Sequence, residues 1–291
     1  MSRMILIGDL QRTLLIERLF GREQNDAERI RILEAAADEA TDETTAEAAT
    51  EYWFLGDLVD VGGLTASWNF FDRCAQRIFA KPQSKFALFG NHDYWGIPSN
   101  CRKKMRSRFP SPESEIFQSH RNQGVLILAL DSNRSVIGHS KWEQQERWFR
   151  DSLIQAENDP TISDVLVFSH HPPFTNSKRY SGHPVFAKFW VPEFLNSLKA
   201  RAWISGHVHA YEHFKKQGKH FVVMGSSGGP RAPLHSGKAA RHQDQFAGED
   251  PRPFVFTVLD LTPESLRLVV KGFQKHDIGI QMIDQFELRT P

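Results

Sequence analysis

The chain has 291 residues, of which 40% are hydrophobic and 24% are charged, as in globular proteins that bury a substantial core. The 36 Lys and Arg residues balance the 35 Asp and Glu residues, and a net charge of +1 argues against nucleic acid or an anionic membrane as a partner. With two cysteines and no run near the ~18 apolar residues of a membrane span, the composition excludes a disulfide framework and predicts a cytoplasmic protein.

A strand is predicted wherever a short apolar run ends at a polar residue, and this pattern occurs six times. In chain order, Met4 to Gly8 precedes Asp9, Trp53 to Gly56 precedes Asp57, Phe86 to Gly90 precedes Asn91, Val125 to Leu130 precedes Asp131, Val165 to Ser169 precedes His170, and Ala202 to Gly206 precedes His207. Open α/β sheets place functional residues at the carboxyl ends of strands, so these polar residues would converge on one edge. Because they are Asp, Asn and His, the pattern indicates a metal centre with oxygen and nitrogen ligands.

Helical segments between the strands predict the alternation of a largely parallel sheet. Residues 25–50, rich in Ala and Glu, are expected to form an amphipathic helix with a break near residues 41–45. Its inner side would carry Ile30, Leu33 and Ala37. This helix is interpreted as part of the scaffold, with no functional residue of its own.

After residue 209 the pattern changes to alternating strands, predicted at 220–224, 254–261, 266–271 and 281–288. Turn composition at residues 262–265 predicts a hairpin between the middle two. We expect the antiparallel strands of residues 220–291 to complete the second sheet of a single domain that spans residues 1–291. Residues 226–252 form a longer connection than is usual, and the sequence does not separate a functional loop from a disordered one.

Five of the polar strand ends contain short motifs in a fixed order. They are Gly8-Asp9-Leu10-Gln11, Gly56-Asp57-Leu58-Val59-Asp60, Gly90-Asn91-His92-Asp93, Ser169-His170-His171-Pro172 and Gly206-His207-Val208-His209. Together they resemble the motifs of the calcineurin-like metallophosphoesterase superfamily, over residues 5 to about 212. The last motif, continued by Ala210-Tyr211-Glu212, is most similar to the purple acid phosphatases. The resemblance implies an α/β (α+β) fold, a four-layer αββα sandwich with a two-metal site at one edge of the paired sheets.

The resemblance also implies a role for each motif residue in holding two divalent ions. Asp57 would bridge the ions, the first ion would be held by Asp9, Gln11 and His209, and the second by Asn91, His170 and His207. His170 is preferred to His171 because the family pattern is His-any-Pro, and Pro172 fixes the register. Imidazole and carboxylate ligands suit manganese, iron or zinc better than calcium, whose ligands are all oxygen.

Hydrolysis of a phosphate ester is the reaction that the resemblance implies, by in-line attack of a hydroxide that bridges the two metals. His92 would act as general acid on the leaving oxygen, and Asp93 would orient His92. Three residues after the fourth motif are candidate substrate contacts, although an ordinary loop surface is the simpler interpretation of each: Arg179, Tyr180 and His183. Asp131 and Asn133, at the remaining strand end, would either form a turn or support the metal ligands.

Two positions depart from the family pattern. Gln11 stands where most members have histidine, and Asp60 stands where the purple acid phosphatases have the tyrosine that gives them their colour. An amide oxygen is a harder and weaker ligand than imidazole, so the first metal would be held loosely and would favour Mn²⁺ or Fe²⁺, with Zn²⁺ possible. Gln11 resembles the first motif of the manganese-dependent ADP-ribose/CDP-alcohol pyrophosphatases.

Several functions remain open at this level. Phosphomonoesters, phosphodiesters and pyrophosphates fit the same two-metal site, and the substrate would be a small-molecule or peptide phosphate ester. A non-catalytic protein-binding scaffold with a degenerate site is a further alternative, disfavoured by the presence of both His92 and Asp93. A nucleic-acid phosphodiesterase is disfavoured by the neutral charge. The oligomeric state is left undetermined.

Overall fold

The structure of the chain is a computed structural model that describes residues 2–40, 49–110 and 116–289. The strands of this part of the chain form two six-stranded sheets. The first sheet contains β1 (Ser2–Ile7), β2 (Ala49–Phe54), β3 (Ser84–Ala87), β10 (Phe254–Leu261), β11 (Leu266–Phe273) and β12 (Gln281–Glu287). Their order across the sheet is β12-β11-β10-β1-β2-β3, and β1, β2 and β3 run parallel.

The second sheet contains β4 (Gln118–Asn122), β5 (Val125–Leu130), β6 (Asp164–Ser169), β7 (Ala200–Ser205), β8 (Tyr211–Lys216) and β9 (Lys219–Met224). Their order is β4-β5-β6-β7-β9-β8, with β5, β6, β7 and β9 parallel. The parallel strands of each sheet therefore end together, and their carboxyl ends carry the polar motifs.

Helices connect the strands and cover the outer faces of the sheets. In the described residues they are α1 (Leu15–Leu19), α2 (Asp26–Glu39), α3 (Thr65–Cys74), α4 (Gln76–Phe79), α5 (Pro98–Arg106), α6 (Arg134–Ile137), α7 (His139–Asn158) and α8 (Val191–Asn196). A π-helical turn at Phe186–Trp190 and 3-10 turns at His92–Tyr94 and Gly237–Ala239 complete the helical segments.

Three buried clusters show how the layers pack. Between the sheets, β1 and β2 contribute Leu6 and Trp53 to a core that they share with Phe168 of β6. The opposite face of the first sheet packs against α2, and the opposite face of the second packs against α7. Both faces of β1 are therefore buried, which explains the continuous apolar run from Met4 to Ile7. The predicted four-layer αββα sandwich is confirmed.

Two details of the predicted architecture are wrong. The helix at residues 26–39 buries Ile32 and Leu33 together with Ala36 and Ala37, whereas the predicted Ile30 is 39% exposed. The predicted break at residues 41–45 lies outside the described residues. Of the strands after residue 220, only β9 joins the second sheet; β10, β11 and β12 extend the first, because β10 pairs antiparallel with the edge of β1 that β2 leaves open. The predicted hairpin at residues 262–265 is confirmed.

A buried carboxylate at the start of β6 connects the end of the described chain to the second sheet. Asp164 accepts a 2.7 Å bond from Arg201 Nε and a 2.8 Å bond from Arg289 Nη2. Burial raises the pKa of Asp164, but the hydrogen bonds from Arg289, Arg201 and Ser163 together lower it by more than burial raises it. The pKa of Asp164 therefore lies below the ordinary value of 3.8. The ionised group therefore stabilises the fold above the unfolded-state pKa, and this stabilisation is lost as the pH falls through the folded-state pKa.

We expect the Asp164→Asn substitution to lower the free energy of unfolding by about 2 kcal/mol at pH 7, since the two guanidinium groups lose their ionised acceptor. The difference from the unsubstituted protein should shrink when urea unfolding is repeated near pH 3. A difference that stays constant over this range would mean that the charge of Asp164 does not stabilise the fold.

Candidate metal centre

Two groups of metal-ligand side chains lie at the carboxyl edge of the sheets. Asp9, Asp57 and His209 form one group, and within it one ligand atom from each residue lies within 4.8 Å of the others. The same limit holds for the second group, which contains His170, His171 and His207. The residues come from four strand ends, those of β1, β2, β6 and β7, which are far apart in sequence and which the sheets bring together.

Asp57 belongs to the first group and also lies close to His170 of the second. Its Oδ2 atom is 3.3 Å from His170 Nε2 and accepts a 3.2 Å hydrogen bond from Gln11 Nε2. His170 Nε2 is in turn 3.3 Å from Asn91 Oδ1, and on the other side Asp9 Oδ1 is 3.5 Å from His209 Nε2. A carboxylate within reach of ligands from both groups is the arrangement that a bridging ligand requires.

Backbone carbonyls fix which nitrogen each imidazole presents. His170 Nδ1 donates to Leu55 O at 2.9 Å, and His209 Nδ1 donates to Pro230 O at 2.8 Å. The Nε2 atoms of both rings are therefore unprotonated when the rings are neutral and point toward the carboxylates. Such outer hydrogen bonds commonly hold metal-binding histidines in one tautomer.

Two buried atoms at the site lack a hydrogen-bond partner among the described residues: His207 Nδ1 and Gln11 Oε1. The Gln11 Nε2 atom lies 2.8 Å from His209 Nε2, and rotation of the amide by 180° would direct the carbonyl oxygen toward His209 and Asp57 instead. Buried polar atoms without partners are costly, and a cation bound next to each of these two atoms would satisfy them. The residues present therefore fit a pair of divalent ions held by nitrogen and oxygen.

The backbone is strained where the ligands are attached. Four of the predicted ligands have a left-handed backbone conformation, with φ of 60° at Asp9, 53° at Asp57, 72° at His207 and 58° at His209. Residues other than glycine rarely adopt this conformation, and it concentrates at functional sites. The neighbouring Gly90 permits a close approach, because a Cβ atom there would lie 2.1 Å from Asp57 Oδ1.

Charge and burial set the protonation of the ligands in the metal-free protein. Burial raises the pKa of Asp57, but the neighbouring His170 and His92 lower it to well below its usual range. Burial lowers the pKa of His170, whereas the Asp57 carboxylate raises it, to about 9. Burial, followed by the charge of Arg22, lowers the pKa of His209 to about 3, so His209 is neutral and able to act as a ligand at pH 7.

His92 lies beside this group, and one of its ring nitrogens has no hydrogen-bond partner in the described part of the chain. Its backbone N–H donates to Asp57 Oδ1 at 2.8 Å, and its Nδ1 donates to Asp60 O at 2.9 Å, which leaves Nε2 available to a substrate. The ring packs against Trp95 with 3.9 Å between centroids. The carboxylate of Asp60 is engaged elsewhere, in a 3.1 Å ion pair with Arg12. Asp60, the residue at which this chain differs from the purple acid phosphatases, thus supports His92 through its backbone carbonyl.

Asp93 was predicted to orient His92, and among the described residues the two side chains share no hydrogen bond, so any such effect acts through the backbone. The buried Asp93 carboxylate instead accepts hydrogen bonds from four backbone N–H groups, at distances between 2.8 and 3.3 Å, donated by Asp57, Leu58, Val59 and Gly90. These N–H groups belong to the turn after β2 and the turn after β3. Asp93 therefore joins the turn after β2 to the turn after β3 and so positions Asp57 and His92.

We expect Asp93→Ala to lower the free energy of unfolding by about 3 kcal/mol, because buried N–H groups lose their acceptor. Urea unfolding of the metal-free protein separates this effect from any loss of bound metal. Asp93→Asn, which keeps one acceptor oxygen, should lose less. Equal stability of the alanine variant and the unsubstituted protein would contradict this role.

The three predicted substrate contacts lie in different places. The Tyr180 ring lies at the metal centre, 4.6 Å from the ring of His207 and 6.1 Å from that of His209. His183 lies farther out and stacks on Trp142. Arg179 is exposed, and its described hydrogen bond runs from its backbone N–H to Ser177 Oγ. The structure therefore does not bring Arg179 to the site.

A cleft of about 720 Å³ opens beside the metal centre. Its lining comes from three segments: Asn91, Tyr94 and Trp95; Ser132 to Val136 with Gly138 and His139; and His171 with His183. Apart from Asn91 and His183, these residues were not among the predicted site residues. The adjacent histidines His170 and His171 were the one feature of the sequence that could have indicated His171 as a site residue. Its Nδ1 atom lies 2.7 Å from Ser132 Oγ. Pro230, in the loop from residue 226 to 252, accepts the hydrogen bond from His209 at the metal centre.

Asp131 and Asn133 support this cleft rather than the metal ligands. Tyr94 donates its hydroxyl to Asp131 Oδ2 at 2.6 Å, and Asn133 Nδ2 donates to Asp131 Oδ1 at 2.8 Å. Asn133 Nδ2 also donates to Phe89 O at 2.9 Å. The two walls of the cleft are therefore joined by one buried carboxylate.

A model of the calcineurin-like phosphoesterase family matches residues 2–211, and the chain belongs to this family. Purple acid phosphatase 22 of Arabidopsis thaliana is 24% identical over 189 residues, which are 62% of this chain and 41% of that protein. The chain therefore spans less than half the length of this curated relative.

Two solved structures share the fold. Purple acid phosphatase PPD1 from yellow lupin seeds superposes with a TM-score of 0.70 and 16% identity, over 98% of this chain and 53% of that one. GAP50, the anchor in the inner membrane complex of Plasmodium, superposes with a TM-score of 0.69 and 14% identity, over 100% of this chain and 89% of that one. In the described residues, no helix has both the length and the apolar composition needed to cross a membrane.

Proposed function

We propose that this protein is a metal-dependent phosphoesterase that hydrolyses a phosphate ester with His92 as general acid. The observation that carries the proposal is the position of His92, whose free Nε2 lies beside a preformed set of nitrogen and oxygen ligands. The fold alone does not carry it, since the anchor GAP50 has the same fold. A binding scaffold needs neither the ligand set nor an acid next to it.

The site residues divide the work of hydrolysis. Asp57 would bridge two divalent ions, with Asp9, Gln11 and His209 at one and Asn91, His170 and His207 at the other. When bound, these ions would polarise the phosphate and lower the pKa of a water. His92 would protonate the oxygen of the leaving group as its bond to phosphorus breaks, and the oxygen of a water would form the new bond to phosphorus. Asp60 and Asp93 hold His92 and Asp57 in the required relation.

We infer that the ions are Mn²⁺ or Fe²⁺, with Zn²⁺ as a weaker alternative. Gln11 supports this inference, because its amide oxygen is a hard ligand and its side chain lies between Asp57 and His209. The purple acid phosphatases have a tyrosine at the position of Asp60, so this chain has no tyrosinate ligand there. Asp60 instead forms an ion pair with Arg12. Metal analysis should find divalent ions and no visible charge-transfer band. A stoichiometric ferric ion with such a band would contradict the inference.

The substrate is proposed to be a small-molecule or peptide phosphate ester, with a pyrophosphate or diester of the ADP-ribose or CDP-alcohol type as the alternative. The experiment is a panel of monoesters, diesters and pyrophosphates of the ADP-ribose and CDP-alcohol type, each assayed with manganese, zinc and iron. Hydrolysis of pyrophosphates alone would replace the preferred function with the alternative.

The free thiols of Cys74 and Cys101 are consistent with the proposed cytoplasmic location.

A further inference from the structure

The cleft beside the metal centre has a distinct electrostatic character. Among its described lining residues there is no Asp or Glu, whereas Arg134 contributes a positive charge. Burial, followed by the charge of Arg134, lowers the pKa of another lining residue, His183, to about 4. That imidazole is therefore neutral at pH 7 and does not compete with Arg134 for an anion.

Arg134 has no anionic partner of its own in the described part of the chain. The structure gives its side chain no hydrogen bond or ion pair there, and the guanidinium lies 5.8 Å from the centre of the Trp142 ring. By contrast, Arg12, Arg29 and Arg231 each pair with a carboxylate. An exposed guanidinium on the wall of a cleft without carboxylates is suited to bind a carboxylate or a phosphate group.

The walls that hold Arg134 are fixed before any ligand binds. Asp131, three residues before Arg134, is held by Tyr94 of the opposite wall. The backbone of Asp131 is also held by Gln145 of α7, through bonds of 2.8 and 3.0 Å that involve its N–H and its carbonyl oxygen. A preformed cleft loses little conformational entropy when it binds a ligand.

Trp95 connects the cleft to the reacting centre. It lines the cleft, its ring packs against His92, and it is 42% exposed. A leaving group that receives its proton from His92 would therefore emerge along the face of Trp95. A volume of about 720 Å³ is within the range of small-molecule sites and is more than a phosphate alone requires.

We propose that this cleft binds the leaving group and selects phosphate esters whose leaving group carries a second anionic group, a carboxylate or a phosphate, bound by Arg134. The proposal rests on the proposed function and adds a substrate class to it. Hydrolysis itself is unchanged: water supplies the new oxygen on phosphorus, the bond to the leaving oxygen breaks, and that oxygen gains a proton.

Two esters of nearly equal shape test the proposal, namely 3-carboxyphenyl phosphate and 3-carbamoylphenyl phosphate, which differ by one negative charge. The manganese-loaded protein should hydrolyse the carboxylate ester with a kcat/KM about tenfold higher, the size expected for one charge-assisted hydrogen bond. In Arg134→Gln the ratio should fall to about one. Arg147→Gln, which removes an exposed arginine of α7 outside the cleft lining, should keep the ratio of the unsubstituted protein.

A binding measurement provides a readout that does not depend on hydrolysis. The metal-free protein should bind 3-hydroxybenzoate more tightly than 3-hydroxybenzamide in calorimetry, and Arg134→Gln should remove the difference. Adding 3-phosphonophenyl phosphate to the kinetic series identifies which anion is preferred. A ratio near one in the unsubstituted protein, or an unchanged ratio in Arg134→Gln, would overturn this proposal while leaving the phosphoesterase intact. Failure to hydrolyse any ester would overturn the proposed function itself.

Discussion

Asp57→Ala is expected to remove both metal ions and to reduce ester hydrolysis by roughly 10⁴-fold, equivalent to about 5 kcal/mol of lost transition-state stabilisation. The reason is geometrical. Asp57 Oδ2 faces His170 and Gln11, and Oδ1 accepts the backbone N–H of His92, so one carboxylate serves both ligand groups and the acid. Elemental analysis after gel filtration, together with kcat on a phosphomonoester, measures both effects.

A matched control separates ligand loss from general damage at a strand end. Asp131 is also a buried carboxylate directly after a strand, but it bonds with Tyr94 and Asn133 and lies outside both ligand groups. Asp131→Asn should therefore retain two ions per chain. Asp57→Asn preserves the shape of the side chain, so it tests the same role if the alanine variant does not fold. Two bound ions in both Asp57 variants would show that Asp57 is not the bridge.

His92→Ala should leave the metal content unchanged and lower kcat for an alkyl phosphate by about 10³-fold, the contribution typical of a positioned general acid. The loss should be much smaller for 4-nitrophenyl phosphate, because its leaving oxygen needs little protonation. The dependence on the leaving group is the decisive observation, since a merely structural role for His92 would slow both substrates equally.

Trp95→Leu is a suitable comparison for His92→Ala, because it removes the ring packed against His92 and leaves the acid in place. Its kcat should not show the same dependence on the leaving group. An equal loss for both substrates in His92→Ala would contradict the assignment of His92 as acid, whatever the metal content.

The candidate ligands could be found from sequence because each lies within four residues of the end of an apolar strand, and parallel strands bring such positions to one edge. The close approach of the turn after β3 to Asp57 also depends on a feature that is visible in the sequence, because Gly90 has no Cβ atom that would collide with Asp57. The resemblance to the family additionally predicted a separate role for each of these residues, including that of Asp57 as the bridging ligand. The sheets then placed these residues within reach of one another.

The direction of individual side chains could not be predicted in the same way. Asp93 follows His92 in sequence, yet its carboxylate binds N–H groups of the turn after β2, which is distant along the chain. The partners of β10 were missed for a similar reason: alternation predicts a strand but not which open edge it joins. Arg134 belongs to no motif, and its position in the cleft lining with Trp95 depends on contacts between distant segments such as the hydrogen bond from Tyr94 to Asp131.

The most direct measurement is a titration of the metal-free protein with Mn²⁺ in which bound metal and release of phosphate from an ester are followed together. We expect two ions per chain at saturation, with hydrolysis that rises as the second ion binds and that disappears when the ions are chelated. Two bound ions without hydrolysis of any ester in the panel would contradict the account and favour a binding scaffold. Hydrolysis that persists after complete chelation would contradict the metal centre itself.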